Sequence, residues 1–320
     1  MTTISMADVR AAAERIRPYI HRTPVLTSAQ VDARLGSRVF FKCENLQKTG
    51  SFKARGAHNA VYSLSDADAA RGVVTHSSGN HAGALARAAQ RRGIPCTVIM
   101  PSNAAAVKKA AVAAYGATII ECEPTLSARE AAAAKVLAAT HGTLVHPFDD
   151  CKVVAGQGTA VLELLEDHPD LDLVLAPVGG GGLLAGTALA AKSLNSRIRV
   201  IGVEPELADD TFRSYHGTTR VTINSSTTIA DGLRGSIGER NLELLRKHVD
   251  DVVTVSEAEI VAATRVLWER LKIVVEPSGA VPLAALLNGK VPAAGLQVGI
   301  ILSGGNVDLD ALPWMGAGGR

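Results

Sequence analysis

Four glycines in a row, Gly179-Gly180-Gly181-Gly182, follow the apolar run LDLVLAP and lead into Leu183 and an Ala-rich stretch. A strand, a glycine loop and a helix start together make an anion cradle. The glycines let backbone N–H groups approach a phosphate without Cβ obstruction, and the helix dipole adds positive potential at its first turn. The register carries neither G-K-[ST] nor G-x-G-x-x-G with a following acid, so a small phosphate ester is expected rather than a nucleotide or dinucleotide. The plain alternative is a tight turn.

Three further segments pair reactive side chains with the same placement. Lys53 lies at a helix entrance in KTGSFKARGA, beside Phe52. An apolar neighbour and the positive end of a helix both lower an amine pKa, which favours a nucleophilic, Schiff-base lysine over a solvated charge. Ser77-Ser78-Gly79-Asn80-His81 follows the run VVTH and opens another helix. Polar loops after strands are where open α/β sheets bind ligands, although one of these residues could simply cap the helix. Ser303, in IILSGGN, ends a buried run with a hydroxyl that can hydrogen-bond a heterocycle nitrogen or cap a turn.

The elements that must position these residues are short β-branched runs alternating with Ala-rich helical patterns, the signature of an α/β protein with open parallel sheets. Strands are expected at 38–43, 72–76, 96–100, 118–121, 171–176, 197–203 and 296–302. Capping-box patterns at Ser5 to Asp8 and Ser256 to Glu259 start helices. The tightly repeated block 72–145 reads as a small substrate-capping domain inserted in a large domain of 1–71 and 146–320. The 320 residues are 47% hydrophobic and carry 33 Lys+Arg against 31 Asp+Glu, a net charge of +2. That excludes a disordered chain and gives no electrostatic footprint for nucleic acid or an anionic membrane. The four cysteines lie far apart without zinc spacing, and no apolar run reaches the roughly 18 residues of a membrane span. With no signal-peptide stretch at its start, the chain is expected in the cytoplasm, with small molecules or copies of itself as partners.

Taken in order, S-F-K-x-R-G-A, S-S-G-N-H, G-G-G-G-L and L-S-G-G-N resemble the fold-type II pyridoxal-phosphate enzymes. The branch they resemble is that of serine racemase and serine/threonine ammonia-lyase. The likeness runs from HRTPVLTS at His21 to Leu309. It includes FFKCENLQKTGSFKARGA, the HP at His146, AGQGT from Ala155, IADG from Ile229 and EPSGA from Glu276.

That resemblance implies a fold of two open twisted sheets in a large and a small domain, and a set of roles. Lys53 would carry the cofactor and Phe52 pack on its ring; Gly179, Gly180, Gly181, Gly182 and the Leu183 amide would hold the phosphate. Asn80 would bond the ring oxygen and Ser303 face the pyridine nitrogen. Ser77, Ser78, Asn80 and His81 would receive the carboxylate of a small amino-acid substrate, and Ser78 could serve as acid or base on the opposite face of Cα. Arg129 could reach a second carboxylate. Glu204 and Asp210, with the Ala208 carbonyl, would ligate Mg or Ca. The implied activity is β-elimination from L-serine, L-threonine or a related 3-hydroxy amino acid, giving a 2-oxo acid and ammonia. Serine racemase and 3-hydroxyaspartate dehydratase are the alternatives, and a homodimer is implied. β-Replacement ranks lower because the loop reads SSGNH rather than T-S-G-N-T/S-G; a cofactor-free binding protein of the same fold would not need Lys53, Asn80 and Ser303. Ala82-Gly83 argues against nucleotide activation, Phe148-Asp149-Asp150 resembles microbial dehydratases, and the ending at Arg320 predicts no isoleucine feedback.

Overall fold

A computed structural model of the chain describes residues 4–77, 79–104, 106–223, 225–312 and 314–315. Among them the strands are, in chain order, β1 (Val25–Leu26), β2 (Arg38–Cys43), β3 (Val73–His76), β4 (Cys96–Pro101), β5 (Thr118–Cys122), β6 (Thr143–Leu144), β7 (Leu173–Pro177), β8 (Arg199–Pro205), β9 (Asp251–Val255) and β10 (Gln297–Leu302). Seven stand where apolar runs predicted them, with ends moved by two residues at most. The others are β1 and β6, two residues each and too short to show a period, and β9.

The chain divides into two compact units, Met1–Ile20 with Lys53–Gln157 and His21–Phe52 with Gly158–Arg320. The block 72–145 lies within the first of these, which also takes the N-terminal segment and residues 53–71 and 146–157. Its sheet is parallel, in the order β5-β4-β3-β6. Alternation along β4 sends Val98 and Met100 into one buried cluster and Ile99 into another, as the two-residue period of a strand requires. Against the first cluster packs the helix Asn80–Arg92, whose Ala82, Ala84, Ala86, Ala88 and Ala89 are buried with Leu85. Small side chains let this helix lie close to its neighbours.

The second unit holds a sheet ordered β1-β2-β10-β7-β8-β9, in which β1 runs antiparallel to β2 and the remaining pairings are parallel. Buried on both faces, β2, β7 and β10 read as nearly continuous apolar runs. The order reverses between β10 and β7, which makes their carboxyl ends the switch point where such sheets bind ligands. The helix Pro277–Leu287 is buried almost throughout and packs in the core of this sheet with Val281, Leu283 and Leu286.

Both expected capping boxes form. The Asp8 carboxylate accepts from the Ser5 N–H (3.0 Å) and Oγ–H (2.7 Å) ahead of the helix Met6–Ile16. Glu259 accepts from the Ser256 N–H at 2.7 Å and returns its own N–H to Ser256 Oγ at 3.4 Å, starting the helix Glu257–Leu271. Among the described residues no helix is long and apolar enough to cross a membrane.

Candidate active site

Three of the four segments singled out for chemistry begin where a parallel strand ends; that of Lys53 follows β2 after an intervening turn at Glu44–Leu46. In the second unit the glycine loop links β7 to the helix Gly182–Leu194, so Leu183 lies in that helix's first turn. Gly181 has φ +87°, and a Cβ there would stand 2.3 Å from Ile237 Cδ1 and 2.9 Å from Asn241 Cβ; a Cβ on Gly179 would meet Leu233 Cα at 2.9 Å. Protein donors hold the loop's carbonyls. The Gly180 oxygen accepts from Asn241 Nδ2 at 2.7 Å and from the Gly238 N–H at 3.2 Å, and the Gly179 oxygen from Thr211 Oγ1 at 3.4 Å. The N–H groups of the helix's first turn have no acceptor within the helix, as at any helix start. This loop fits a phosphate: its backbone is bare of Cβ atoms, its carbonyls are engaged elsewhere, and a positive helix end completes it.

Ser303 follows β10 and is 2% exposed, and its carbonyl accepts the Phe52 N–H at 3.0 Å. Glu204 near the end of β8 and Asp210 just beyond it are both fully buried, as is Ala208. Glu204 accepts the N–H groups of Thr211 (3.2 Å) and Phe212 (2.8 Å), and Asp210 Oδ2 accepts that of Ile237 at 2.7 Å. Burial first, and the Asp210 charge second, push Glu204 well above the usual carboxylate range; burial raises Asp210 to about 6. Asp210 Oδ1 has no hydrogen-bond partner among the described residues. Two buried, mutually repelling carboxylates with one open oxygen suit a hard cation. Among the described residues no group of three or more His, Cys, Asp or Glu gathers, so any ion here would rely on this pair, a carbonyl and water.

In the first unit Lys53 begins the helix Lys53–Tyr62, half-buried, and its Nζ donates to the Pro147 carbonyl at 2.6 Å. Asn80 begins the helix that follows β3, and Ser77 Oγ accepts the Gly79 N–H at 3.4 Å. Ser78 lies outside the described residues. His81 is 2% exposed, with Nε2 3.3 Å from the Val145 carbonyl and no partner for Nδ1 among the described residues. Burial, then the Lys53 charge, hold its pKa well below the ordinary value, so the ring is neutral. His146 makes edge contacts with His76 (5.4 Å) and Phe148 (4.6 Å), and its Nδ1 accepts the Asp149 N–H at 2.9 Å. Arg129, on the helix Leu126–Thr140, donates from Nε to the Thr125 carbonyl at 3.3 Å. After burial, its charge is the main influence lowering the pKa of His76, which ends β3.

Asn241 escaped the sequence reading because it belongs to a helix far along the chain from Gly180 and sits in no motif. Glu276 was quoted only as part of EPSGA, yet it is 3% exposed and its Oε2 accepts the Asn306 N–H at 3.0 Å.

A two-sheet α/β fold with a four-glycine loop at a helix start, a helix-initiating lysine and a serine closing a central strand defines a fold-type II pyridoxal-phosphate enzyme. Residues 16–304 match the family model described as "Pyridoxal-phosphate dependent enzyme", and the chain belongs to that family. It is 50% identical over 307 residues to the "beta-hydroxyaspartate dehydratase" of Paracoccus denitrificans (strain Pd 1222), covering 96% of this chain and 98% of that one. It is 47% identical to the "Serine racemase" of Dictyostelium discoideum, over 98% of each chain. The solved structure of maize serine racemase superposes with a TM-score of 0.94 at 44% identity, covering 97% of this chain and 95% of that one.

Proposed function

We propose that this enzyme catalyses β-elimination on a small 3-hydroxy amino acid, releasing a 2-oxo acid and ammonia. Lys53 is assigned to carry pyridoxal phosphate, with Phe52 beside the ring. The amides of Gly179, Gly180, Gly181, Gly182 and Leu183 are assigned to its phosphate, Asn80 to the ring oxygen and Ser303 to the ring nitrogen. Bound there, the cofactor supplies an electron sink that acidifies the substrate Cα–H. Lys53 Nζ takes that proton, the Cα–H electron pair becomes the Cα=Cβ bond, and the Cβ–O bond breaks, its electron pair leaving with the hydroxyl, which recovers the proton from Nζ and departs as water. Hydrolysis of the resulting enamine gives the oxo acid and ammonia.

The observation that carries this reading is Ser303, buried at the end of β10. A neutral hydroxyl cannot keep a pyridine nitrogen protonated as a carboxylate would. A weaker sink favours prompt departure of a β-leaving group over transamination. Ser77, Ser78, Asn80 and His81 are assigned to the substrate's carboxylate. The neutral His81 side chain brings no positive charge and the Ser77 N–H is engaged with the Ile99 carbonyl, so the Asn80 and His81 N–H groups at the helix start supply the attraction. Arg129 is assigned to a second carboxylate, which admits 3-hydroxyaspartate beside L-serine and L-threonine. Its electrostatic reach to His76, at the mouth of the substrate loop, and the dehydratase relative support this.

A second reading, serine racemisation, shares every step up to loss of the Cα proton and needs Ser78 to return a proton from the opposite face. The two racemase relatives favour it. We assign Glu204, Asp210 and the Ala208 carbonyl to Mg or Ca, on the strength of the buried carboxylate pair. The resemblance further supports a homodimer, which light scattering of the purified protein checks.

A product assay with L-serine, L-threonine and L-threo-3-hydroxyaspartate, following 2-oxo acid and enantiomer ratio together, tests the reading. Oxo acid with little D-isomer is expected. D-Serine accumulating faster than pyruvate would give precedence to the racemase reading. Lys53→Ala should abolish both turnover and the visible band of lysine-bound cofactor.

A further inference from the structure

Thr49 is a β-branched residue in the left-handed region, φ 60° and ψ 16°, followed by Gly50 at φ +70°. That conformation is a steric outlier for a β-branched residue and persists only where surrounding contacts over-determine it. The contacts come partly from the turn itself, where Thr49 Oγ1 donates to the Lys48 carbonyl at 2.6 Å and the Gly50 N–H to the Gln47 carbonyl at 2.9 Å, and partly from the segment that follows Ser303, in the same unit. Asn306 Nδ2 donates to the Thr49 carbonyl at 2.8 Å, and the Gly305 N–H donates to the Gly50 carbonyl at 2.9 Å. An antiparallel bridge joins Ser51 to Gly304, and the Phe52 N–H reaches the Ser303 carbonyl at 3.0 Å. Residues 49–52 are thus laced against 303–306. The lacing is tight, since a Cβ on Gly50 would lie 2.3 Å from Asn306 Oδ1. Asn306 is itself anchored through its N–H to Glu276 Oε2 at 3.0 Å.

We propose that Asn306 is a positioning residue for catalysis: its side-chain amide holds Thr49 in the left-handed conformation and so fixes the register in which residues 49–52 run beside Ser303. The proposal rests on the roles given above to Phe52, Lys53 and Ser303. Phe52 ends the laced segment and Lys53 is the next residue in the chain, so a slip at Thr49 displaces the ring contact and the amine together, without touching the glycine loop.

The rescue experiment is specific to strain. Asn306→Ala should lower kcat about tenfold, the cost of slightly misplacing reacting groups, and move the pH at which the visible band of bound cofactor titrates. The melting temperature of the cofactor-free protein should change little. Thr49→Gly should retain turnover within about threefold of the parent, because glycine enters the left-handed region without steric cost. The double variant Asn306→Ala/Thr49→Gly should recover most of the lost turnover and the parent's band titration. Asn306→Ser, which keeps a short donor, replaces Asn306→Ala in the same cycle should the alanine variant not fold. A loss of kcat on Asn306→Ala that is equal in the parent and in the Thr49→Gly background, or a fall in melting temperature with kcat and band unchanged, overturns the role of Asn306. Lys53→Ala in the same series separates the two levels: a band that survives it overturns the underlying assignment of Lys53 and the proposal with it.

Discussion

Asp210 keeps one carboxylate oxygen on the Ile237 N–H and the other without a partner among the described residues, while Glu204 engages both oxygens with backbone N–H groups. The asymmetry makes Asp210 the more exposed test of the cation assignment. Asp210→Asn preserves shape but removes charge, and should weaken the stabilisation given by Mg or Ca at least tenfold in midpoint concentration, read by thermal shift. An unchanged midpoint would remove the assignment. Sequence made both residues visible as an acidic loop, but not their burial, which follows from where β8 delivers them. The same holds for Lys53: its neighbour Phe52 is adjacent in sequence, whereas its acceptor, the Pro147 carbonyl, is 94 positions away.

Gly181 and Gly83 show how much an element decides. Both are glycines at or near a helix start, and in sequence nothing separates them except their company. Gly181 has φ +87° with side chains of Ile237 and Asn241 pressed against it, whereas Gly83 has open space where a Cβ would be. Gly181→Ala should therefore weaken pyridoxal-phosphate binding more than tenfold, as followed by equilibrium dialysis. Gly83→Ala, inside the helix Asn80–Arg92, should bind it as the parent does and gain about 0.5–1 kcal/mol of stability from helix propensity. The elements carrying these residues were legible because strands of four to seven residues mostly advertise themselves by apolar runs. Hidden were the two-residue strands, β9 with its acidic start at Asp251, and the side chains, such as Asn241, that brace the glycine loop from distant helices.

Across the molecule, acid resistance depends on histidines kept neutral. His58 is fully buried; its Nδ1–H donates to the Ala54 carbonyl at 2.7 Å and its Nε2 accepts from Arg87 at 2.8 Å, so the neutral ring is fully bonded and a second proton would face a guanidinium. Burial foremost lowers its pKa from the ordinary 6.5 to about 4. The unfolded chain takes up a proton below pH 6.5 that the folded one refuses. The contribution of His58 to stability is therefore full above that value, declines between pH 6.5 and 4, and levels off below. His58→Gln should flatten that decline by up to about 1.4 kcal/mol per pH unit, measured by urea unfolding at a series of pH values.

The pairing of β2 with β10 sets Arg38 beside Gln297 and Cys43 beside Leu302, so the centre of the six-stranded sheet is stitched from the two ends of the chain. Contacts so distant in sequence pay their loop-closure entropy late, and they slow folding. During synthesis β2 has only the short β1 to pair with until β10 leaves the ribosome, and β7, once made, lacks one of its two neighbours until that same moment. Nascent chains of this enzyme will consequently carry open sheet edges for most of their translation, and chaperone dependence should track how long the last strand is delayed.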